Sequence, residues 1–262
     1  MTEHVLVTLE KGVQILTLNR PDKKNALTAE MYGALADGLE RAERDPAIRV
    51  TLITATSDAF TAGNDMGDFA KAGSTPVDDA PAEKSDVARF VENLREVEKP
   101  VIAAVNGLAV GIGVTMLLHC DLVYAGASAT FQMPFVKLGL VPEAGSSLLL
   151  PRLIGLQKAA DLFLTNKKIN AQTAEALGLV AEVFADNALA AEALARAQAL
   201  AAQPPNAVKI VKALLRSGDR AQVAAQTDAE AVHFAAQLRT AEVKEAVGAF
   251  LEKRPADFSK VA

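Results

Sequence analysis

The segment Pro100-Val101-Ile102-Ala103-Ala104-Val105-Asn106-Gly107-Leu108-Ala109-Val110-Gly111-Ile112-Gly113 decides the fold of this chain. Its first part, residues 100–105, is a short and unbroken apolar run, which predicts a buried strand. A second such run, Val50 to Thr54, precedes it, and the segment Asp86–Glu98 between the two has a helical pattern. Strands that alternate with helices favour a sheet with crossover connections over a sandwich of two sheets. The sequence therefore predicts an α/β fold.

The beginning of the chain adds a hairpin and a helix to this core. Residues 5–17 alternate with a period of two on either side of Gly12, which predicts a β-hairpin that turns at that glycine. Thr28 is predicted to be the N-cap of the following helix. The apolar face of that helix is formed by Met31, Leu35, Leu39 and Ala42.

The second half of the chain changes in character after Ile169. Asn170 is predicted to cap a short helix that ends at Gly178, and Leu179 to Phe184 are predicted to form the last strand. Almost everything after Asp186 is rich in alanine and helical in pattern. We therefore divide the chain into an α/β core at residues 1–202 and a helical region at residues 203–262.

Composition excludes several classes of protein. The chain has 262 residues, of which 50% are hydrophobic and 23% are charged, as in an ordinary globular protein. Cys120 is the single cysteine, which excludes a disulfide framework and a multi-cysteine zinc site. A net charge of −5 argues against binding to nucleic acid, and no apolar run is as long as the ~18 residues of a membrane span. We expect a cytoplasmic protein that binds neither nucleic acid nor a membrane.

Two glycine-containing turns follow predicted strands. In Val105 to Gly113 the glycines stand at 107, 111 and 113, which matches neither a dinucleotide-binding fingerprint nor a P-loop. The segment Ala59 to Met66 has a similar turn with Gly63 in the middle. Two such turns on adjacent strands can direct two backbone N–H groups at one point, which is the geometry of an oxyanion hole. Close packing of a helix on a strand is the alternative explanation of the glycines.

A third segment supplies a carboxylate in an apolar setting. Glu143 lies in Pro142-Glu143-Ala144-Gly145, directly before a predicted helix at Ser146–Leu153. A glutamate with apolar surroundings can have a raised pKa and act as an acid or a base near neutral pH. The alternative is a first-turn glutamate that only stabilises the helix dipole.

Together these segments resemble the crotonase superfamily, the enoyl-CoA hydratase/isomerase group. The similarity extends from about Val5 to Phe258. Four motifs carry it, and they occur in order along the chain: Arg20-Pro21-Asp22-Lys23-Lys24-Asn25-Ala26-Leu27, Ala62-Gly63-Asn64-Asp65, Pro100 to Gly107, and Ala249-Phe250-Leu251-Glu252-Lys253-Arg254. The resemblance implies a crotonase-like spiral of ββα units with a C-terminal helical oligomerisation region.

The resemblance also implies the residues of the site. The oxyanion donors would be the backbone N–H groups of Asn64 and Ile112. Family hydratases carry two glutamates at positions that here hold Thr115 and Phe135, so both hydratase acids are missing. Glu143 matches the single catalytic carboxylate of monofunctional Δ3,Δ2-enoyl-CoA isomerases, especially the peroxisomal type. The resemblance further implies a set of residues that bind the substrate or its CoA part: Lys24, Ala26, Ala62, Asp65, Met66, Gly111, Phe135, Phe250 and Lys253.

These observations favour an acyl-CoA double-bond isomerase that converts a 3-enoyl-CoA to a 2-trans-enoyl-CoA in fatty-acid or related acyl-CoA metabolism. A hydratase or another crotonase-type reaction is the first alternative, and a non-catalytic acyl-CoA-binding protein is the second. The substrate is expected to be an acyl-CoA thioester. We expect no cofactor, because coenzyme A is part of the substrate, and no metal, because adjacent residues such as His119-Cys120-Asp121 point in different directions on a helix.

Two further expectations concern surfaces. The resemblance implies a homo-oligomer, either a trimer or a dimer of trimers, formed through the helical tail. The tail carries more apolar side chains than it can hide within itself: Val232, Phe234, Leu238, Val243, Val247, Phe250 and Leu251.

The polar segment Lys71–Ser85 is expected to be a mobile loop over a cleft and, with the helices near Leu162, to line the acyl tunnel.

Overall fold

The computed structural model describes residues 2–69 and 84–261. Ten strands are present in this part of the chain: β1 (Val5–Glu10), β2 (Val13–Leu18), β3 (Val50–Ala55), β4 (Ala59–Thr61), β5 (Val101–Val105), β6 (Leu108–Val110), β7 (Leu122–Gly126), β8 (Thr130–Gln132), β9 (Ile169–Asn170) and β10 (Glu182–Phe184). The helices whose bounds are described are α1 (Ala29–Arg44), α2 (Asp86–Glu96), α3 (Ile112–Thr115), α4 (Ser146–Ile154), α5 (Leu156–Thr165), α6 (Ala171–Ala176), α7 (Leu189–Ala201), α8 (Pro205–Arg216), α9 (Arg220–Gln237) and α10 (Ala241–Leu251).

The strands form two sheets. The larger has the order β1-β2-β3-β5-β7-β10, and the smaller has the order β4-β6-β8-β9. In the larger sheet β1 and β2 form the predicted antiparallel hairpin, with Gly12 at a φ of +81°, and the other neighbours are parallel. Each of β3, β5 and β7 is followed within a few residues by a strand of the smaller sheet. The predicted spiral of strand–strand–helix units is therefore observed.

Strand β5 is buried on both faces, as its unbroken apolar sequence predicts. Val101, Ala103 and Val105 pack into the main core, which also contains side chains of α1 and α2. Ile102 and Ala104 point the other way, into a second core against the alanine-rich helix α7. Alternation of side chains along a strand explains why one run of apolar residues serves two cores.

Most predicted elements are observed, with small differences at their ends. Thr28 and Asn170 cap α1 and α6, each by accepting a hydrogen bond from a backbone N–H three residues later. The last strand is shorter than predicted, because the N–H groups of Leu179 and Val180 both donate to the carbonyl of Ala174. Those two residues continue the turn after α6, and β10 begins only at Glu182.

The C-terminal helices pack on the core but leave apolar side chains exposed. Val223, Val243 and Ala249 are buried, and Phe234 and Leu238 pack against the main core. The exposed apolar side chains of these helices are Ile210, Val211, Leu214, Leu215, Val232, Phe250 and Leu251. Homo-oligomerisation and the boundary at residue 202 stay predictions. None of the described helices has the length and hydrophobicity that crossing a bilayer requires.

Candidate active site

A cavity of about 580 Å³ lies between α1, α2, α9 and the segment at Glu143. Its walls are mainly apolar, and it includes residues from distant parts of the chain: Tyr32, Asn64, Val91, Glu143, Thr227 and Phe234. Of the predicted loop Lys71–Ser85, only Lys84 and Ser85 are described, and both line this cavity. The rest of that segment lies outside the described residues. Leu162 is buried in the main core rather than in the described cavity wall.

The turn after β4 contains Asn64, whose backbone N–H donates to none of the described residues. Gly63 has a φ of +91°, a conformation that other residues rarely adopt, and its N–H donates to the Thr61 hydroxyl oxygen at 3.0 Å. Leu27 donates to the carbonyl of Gly63 at 2.8 Å and accepts from the N–H of Asp65 at 2.9 Å. The Asn64 N–H between these bonds has no hydrogen-bond acceptor within the described part of the chain.

The turn after β6 contains Ile112, the second predicted oxyanion donor. Gly111 has a φ of +57° and a ψ of −118°, and Ile112 begins α3. A first-turn N–H has no acceptor inside its own helix, and no other described residue accepts from Ile112. Because β4 and β6 are parallel neighbours, the turns that follow them are in contact. A Cβ added to Gly63 would lie 3.0 Å from the Val110 carbonyl oxygen.

Tyr32 connects the first turn with the part of the cavity that contains Glu143. Its hydroxyl donates a hydrogen bond to Oδ1 of Asn64, and both side chains line the cavity. Burial raises the pKa of the Tyr32 phenol well above its usual value, and the nearby Glu143 raises it further. The phenol therefore remains a neutral hydrogen-bond donor over the physiological pH range.

Glu143 is the titratable group with the most unusual environment in the cavity. Its Oε1 is buried and has no hydrogen-bond partner among the described residues. Burial raises the pKa of the Glu143 carboxyl to about 8, and the negative charge of Glu230 contributes to the same direction. Such a carboxyl can take and return a proton near neutral pH.

Two consecutive residues in the left-handed conformation direct Glu143 towards the cavity. Ala144 has a φ of +59° and Gly145 a φ of +71°. A left-handed alanine is unfavourable, so the surrounding structure has to hold it in place. His119 does so by donating a hydrogen bond from Nε2 to the carbonyl of Ala144 at 2.7 Å. Burial lowers the pKa of His119 to about 4, so the ring stays neutral.

Replacing His119 with phenylalanine tests this anchor. We expect the free energy of unfolding at pH 7 to fall by about 1–3 kcal/mol, because the buried carbonyl of Ala144 loses its hydrogen-bond partner. The native pKa of His119 is below the unfolded value, so its contribution to stability is present above pH 6.5 and is lost as the pH falls towards 4. Between pH 7 and pH 5 the free energy of unfolding should therefore fall by about 2 kcal/mol more in the wild type than in the variant. Urea unfolding at both pH values measures this, and an identical pH dependence in the two proteins would contradict it.

The other residues predicted from the resemblance fall into two groups. Lys24, Ala26, Ala62 and Asp65 lie together: Ala62 donates to the Lys24 carbonyl at 2.9 Å, and Arg20 binds both the Asp65 carboxylate at 2.7 Å and the Ala26 carbonyl at 3.0 Å. Of these, Asp65 lines the cavity.

The second group lies away from the described cavity wall. Gly111 and Met66 are half-buried, Phe135 is buried, and Phe250 and Lys253 are exposed near the end of α10. The binding roles of both groups stay predictions.

The two positions that hold glutamates in family hydratases are enclosed in the core. Thr115 is fully buried, and its hydroxyl has no partner among the described residues. Phe135 is also buried, with its ring centroid 6.2 Å from that of Phe163. Neither side chain is among the described residues that line the cavity.

The three residues His119-Cys120-Asp121 have separate roles. The Cys120 thiol is buried, and burial raises its pKa to about 12. The Asp121 carboxylate binds Lys212 at 2.7 Å and accepts from the N–H of Val101 at 2.8 Å. Within residues 2–69 and 84–261 no group of three His, Cys, Asp or Glu side chains is arranged to hold a metal ion.

Sequence reasoning did not find three residues that shape the site. Tyr32 was assigned to no role, because its position beside Met31 is typical of a packed helix face. In the sequence His119 stands out only through its neighbours Cys120 and Asp121, and Glu230 lies in an alanine-rich helix without a motif. Their partners are distant in the sequence, so no local pattern could have indicated them.

The fold and the site define a crotonase-type acyl-CoA enzyme. The chain belongs to the family described as enoyl-CoA hydratase/isomerase, whose sequence profile matches residues 8–261. It is 39% identical to the 1,2-epoxyphenylacetyl-CoA isomerase of Escherichia coli K12 over 99% of both chains. It is 38% identical to enoyl-CoA delta isomerase 2 of Rattus norvegicus over 96% of this chain and 64% of that protein.

Hydratases and solved structures are also among the similar proteins. The identity to the 2,3-dehydroadipyl-CoA hydratase of Escherichia coli K12 is 35%, over 97% of this chain and 98% of that protein. The crystal structure of an enoyl-CoA hydratase/isomerase from Pseudoalteromonas atlantica T6c has a TM-score of 0.92 at 48% identity and covers 98% of this chain and 100% of its own. The comparisons therefore establish the family and leave isomerase and hydratase as two activities found within it.

Proposed function

We propose that this protein is an isomerase that moves the double bond of a 3-enoyl-CoA to give a 2-trans-enoyl-CoA. The observation that carries the proposal is the Glu143 carboxyl, whose Oε1 is buried without a partner among the described residues, in the cavity that Asn64 also lines. Its pKa near 8 suits a group that must first accept a proton and then donate it.

The reaction needs two proton transfers on the same acyl chain. The Glu143 carboxylate removes a proton from C2. The electron pair of that C–H bond forms a double bond between C1 and C2, and the carbonyl pair moves to the thioester oxygen, which leaves a dienolate that still contains the C3–C4 double bond. The N–H groups of Asn64 and Ile112 stabilise the negative charge on that oxygen. The protonated Glu143 then donates its proton to C4, the thioester carbonyl forms again, and a new double bond forms between C2 and C3. The reaction consumes no water and transfers no electrons to another molecule, so it requires no cofactor beyond the CoA part of the substrate.

Two features favour isomerisation over hydration. Hydration in this family uses two acids that hold and activate one water molecule, and the corresponding positions here are the buried Thr115 and Phe135. The cavity that Glu143 lines is also mainly apolar, and Phe234 and Val91 contribute to its walls. Excluding water protects the dienolate and strengthens the hydrogen bonds that stabilise it.

A substrate panel with the purified wild-type protein tests the proposal. We expect turnover of 3-enoyl-CoA esters to 2-trans-enoyl-CoA, and hydration of crotonyl-CoA at least about 100-fold slower, because no second acid activates water. The appearance or loss of the conjugated thioester absorbance measures both reactions. An epoxyphenylacetyl-CoA belongs in the panel, because the relative with 39% identity is named for that substrate.

Each other outcome of the panel overturns the proposal in favour of a stated alternative. Faster hydration of crotonyl-CoA than isomerisation would identify a hydratase, and turnover of the epoxide alone would identify a ring isomerase. Tight binding of the thioesters without deuterium exchange at C2 in heavy water would identify a non-catalytic acyl-CoA-binding protein.

A further inference from the structure

Helix α9, in the C-terminal region, binds the turn that carries Glu143. The buried carboxylate of Glu230 on this helix accepts a hydrogen bond from the N–H of Gly145 at 2.6 Å through Oε2. Its Oε1 accepts from the N–H of Ser147 at 2.8 Å and from the Ser147 hydroxyl. The Ser147 hydroxyl in turn accepts from Nε2 of Gln226 at 2.9 Å, which fixes the direction of its own proton towards Glu230.

A structural explanation accounts for part of this arrangement. Gly145 and Ser147 lie at the start of α4, where backbone N–H groups lack acceptors within the helix. The side chain of the N-cap residue cannot supply one, because that residue is Gly145. Glu230 therefore acts as a cap from a distant part of the chain, and a carboxylate is favourable at a helix N-terminus.

Two observations connect Glu230 with the chemistry of Glu143 as well. Only the left-handed Ala144 separates Glu143 from the Gly145 amide, so the bond to Glu230 fixes the backbone from which the Glu143 side chain extends. The same helix lines the cavity through Thr227, Ala231 and Phe234. Glu230 thus joins a wall of the cavity to the catalytic turn.

The charge of Glu230 also acts on Glu143. Burial is the largest cause of the raised pKa of the Glu143 carboxyl, and the charge of Glu230 is the second. Two further titratable groups lie beside this turn: the phenol of Tyr32 from α1 and the imidazole of His119, which binds the Ala144 carbonyl. Both of these are neutral near pH 7 because burial raises the pKa of the phenol and lowers that of the imidazole. Charged residues elsewhere in the lining of the same cavity are Asp65, Asp68, Lys84, Glu92, Arg95 and Asp228.

We propose that Glu230 is a positioning residue for the isomerase reaction: it orients the Glu143 turn from the C-terminal helix, and its carboxylate adds a negative charge beside that turn. This inference rests on the proposed function, and it makes helix α9 a part of the active site. Burial raises the pKa of the Glu230 carboxyl, and its three donors oppose that shift and favour the charged form.

Three variants separate the orientation of the Glu143 turn from the effect of charge. They are Glu230→Gln, Glu230→Asp and the exposed control Glu192→Gln on α7. In Glu230→Gln we expect kcat to fall by about 10–100-fold with little change in KM, because the turn is displaced. We also expect the midpoint of the rise of kcat/KM with pH, near 8 in the wild type, to move down by about 1 pH unit. Glu230→Asp keeps the charge, so kcat should fall while the midpoint stays, and Glu192→Gln should change neither.

A direct titration keeps this test independent of the proposed activity. The ¹³C signal of the Glu143 carboxyl, assigned by its absence in Glu143→Gln, reports the pKa even if the wild type turns over no 3-enoyl-CoA. A Glu143 midpoint that is equal in the wild type and Glu230→Gln would overturn the effect of charge. An unchanged kcat in Glu230→Asp would overturn the positioning role, and it remains measurable if Glu230→Gln does not fold.

Discussion

Glu143→Gln is expected to lower kcat for the isomerisation of a 3-enoyl-CoA by about 10²–10⁴-fold, the usual contribution of a general acid or base. Glutamine has nearly the same shape as glutamate but cannot take a proton from C2 or return one to C4. KM should change little, since the proposed contacts of the thioester oxygen are with the N–H groups of Asn64 and Ile112 and not with Glu143. Initial rates at saturating substrate, at pH 8, measure the effect, with Glu192→Gln as the control for loss of an acidic residue.

The stability of the same variant shows whether the loss of activity reflects chemistry or misfolding. The pKa of Glu143 is raised in the native state, so its ionisation opposes folding as the pH rises from the unfolded value of 4.5 towards 8. Glu143→Gln removes this penalty and should be more stable than the wild type at pH 7 by on the order of 2–3 kcal/mol, with little difference below pH 4.5. Full activity in a folded variant would eliminate Glu143 as the proton carrier. Loss of activity together with lower stability at pH 7 would contradict the claim that burial raises the pKa of the Glu143 carboxyl.

The local features of the fold were predictable because they depend on residues that are close in the sequence. The run Val101–Val105 became a strand with two buried faces, as an unbroken apolar run implies. Thr28 and Asn170 cap their helices because a side-chain oxygen there reaches an N–H three residues later. The position of Glu143 directly before α4 also followed from the sequence, since the proline, the glycine and the following helix are adjacent.

The electrostatics of the site depend on pairs that are far apart in the sequence. Glu230 lies 83–85 residues from the amides that it binds, and Tyr32 lies 32 residues from Asn64. His119 lies 25 residues from Ala144, whose carbonyl accepts its hydrogen bond. No periodicity or motif encodes such contacts, because they arise only when the helices pack. The family resemblance indicated which carboxylate remains, but not what holds it or sets its pKa.

The turn after β6, which we propose to be part of an oxyanion hole, allows the N–H group of residue 112 to be removed by Ile112→Pro. Residue 112 is the first residue of α3, where proline is well tolerated, and the Ile112 N–H donates to no acceptor in the described residues. Gly111, at a φ of +57° and a ψ of −118°, lies outside the α region that a following proline disfavours. The substitution therefore costs no backbone hydrogen bond described in this chain, while it deletes a proposed donor to the thioester oxygen.

We expect kcat of Ile112→Pro to fall by about 10²–10³-fold, which is the usual effect of losing one oxyanion donor. The effect should appear in kcat more than in KM, because the oxygen carries its full charge only near the dienolate. Ile112→Val is the matched control, since it also reduces the buried side chain but keeps the N–H. If the two variants have equal kcat values while both remain folded, the Ile112 amide does not act on the thioester. If only the proline variant is slow, the charge that develops during the reaction lies within hydrogen-bonding distance of this turn, and the β4 and β6 turns act with Glu143 on one acyl group.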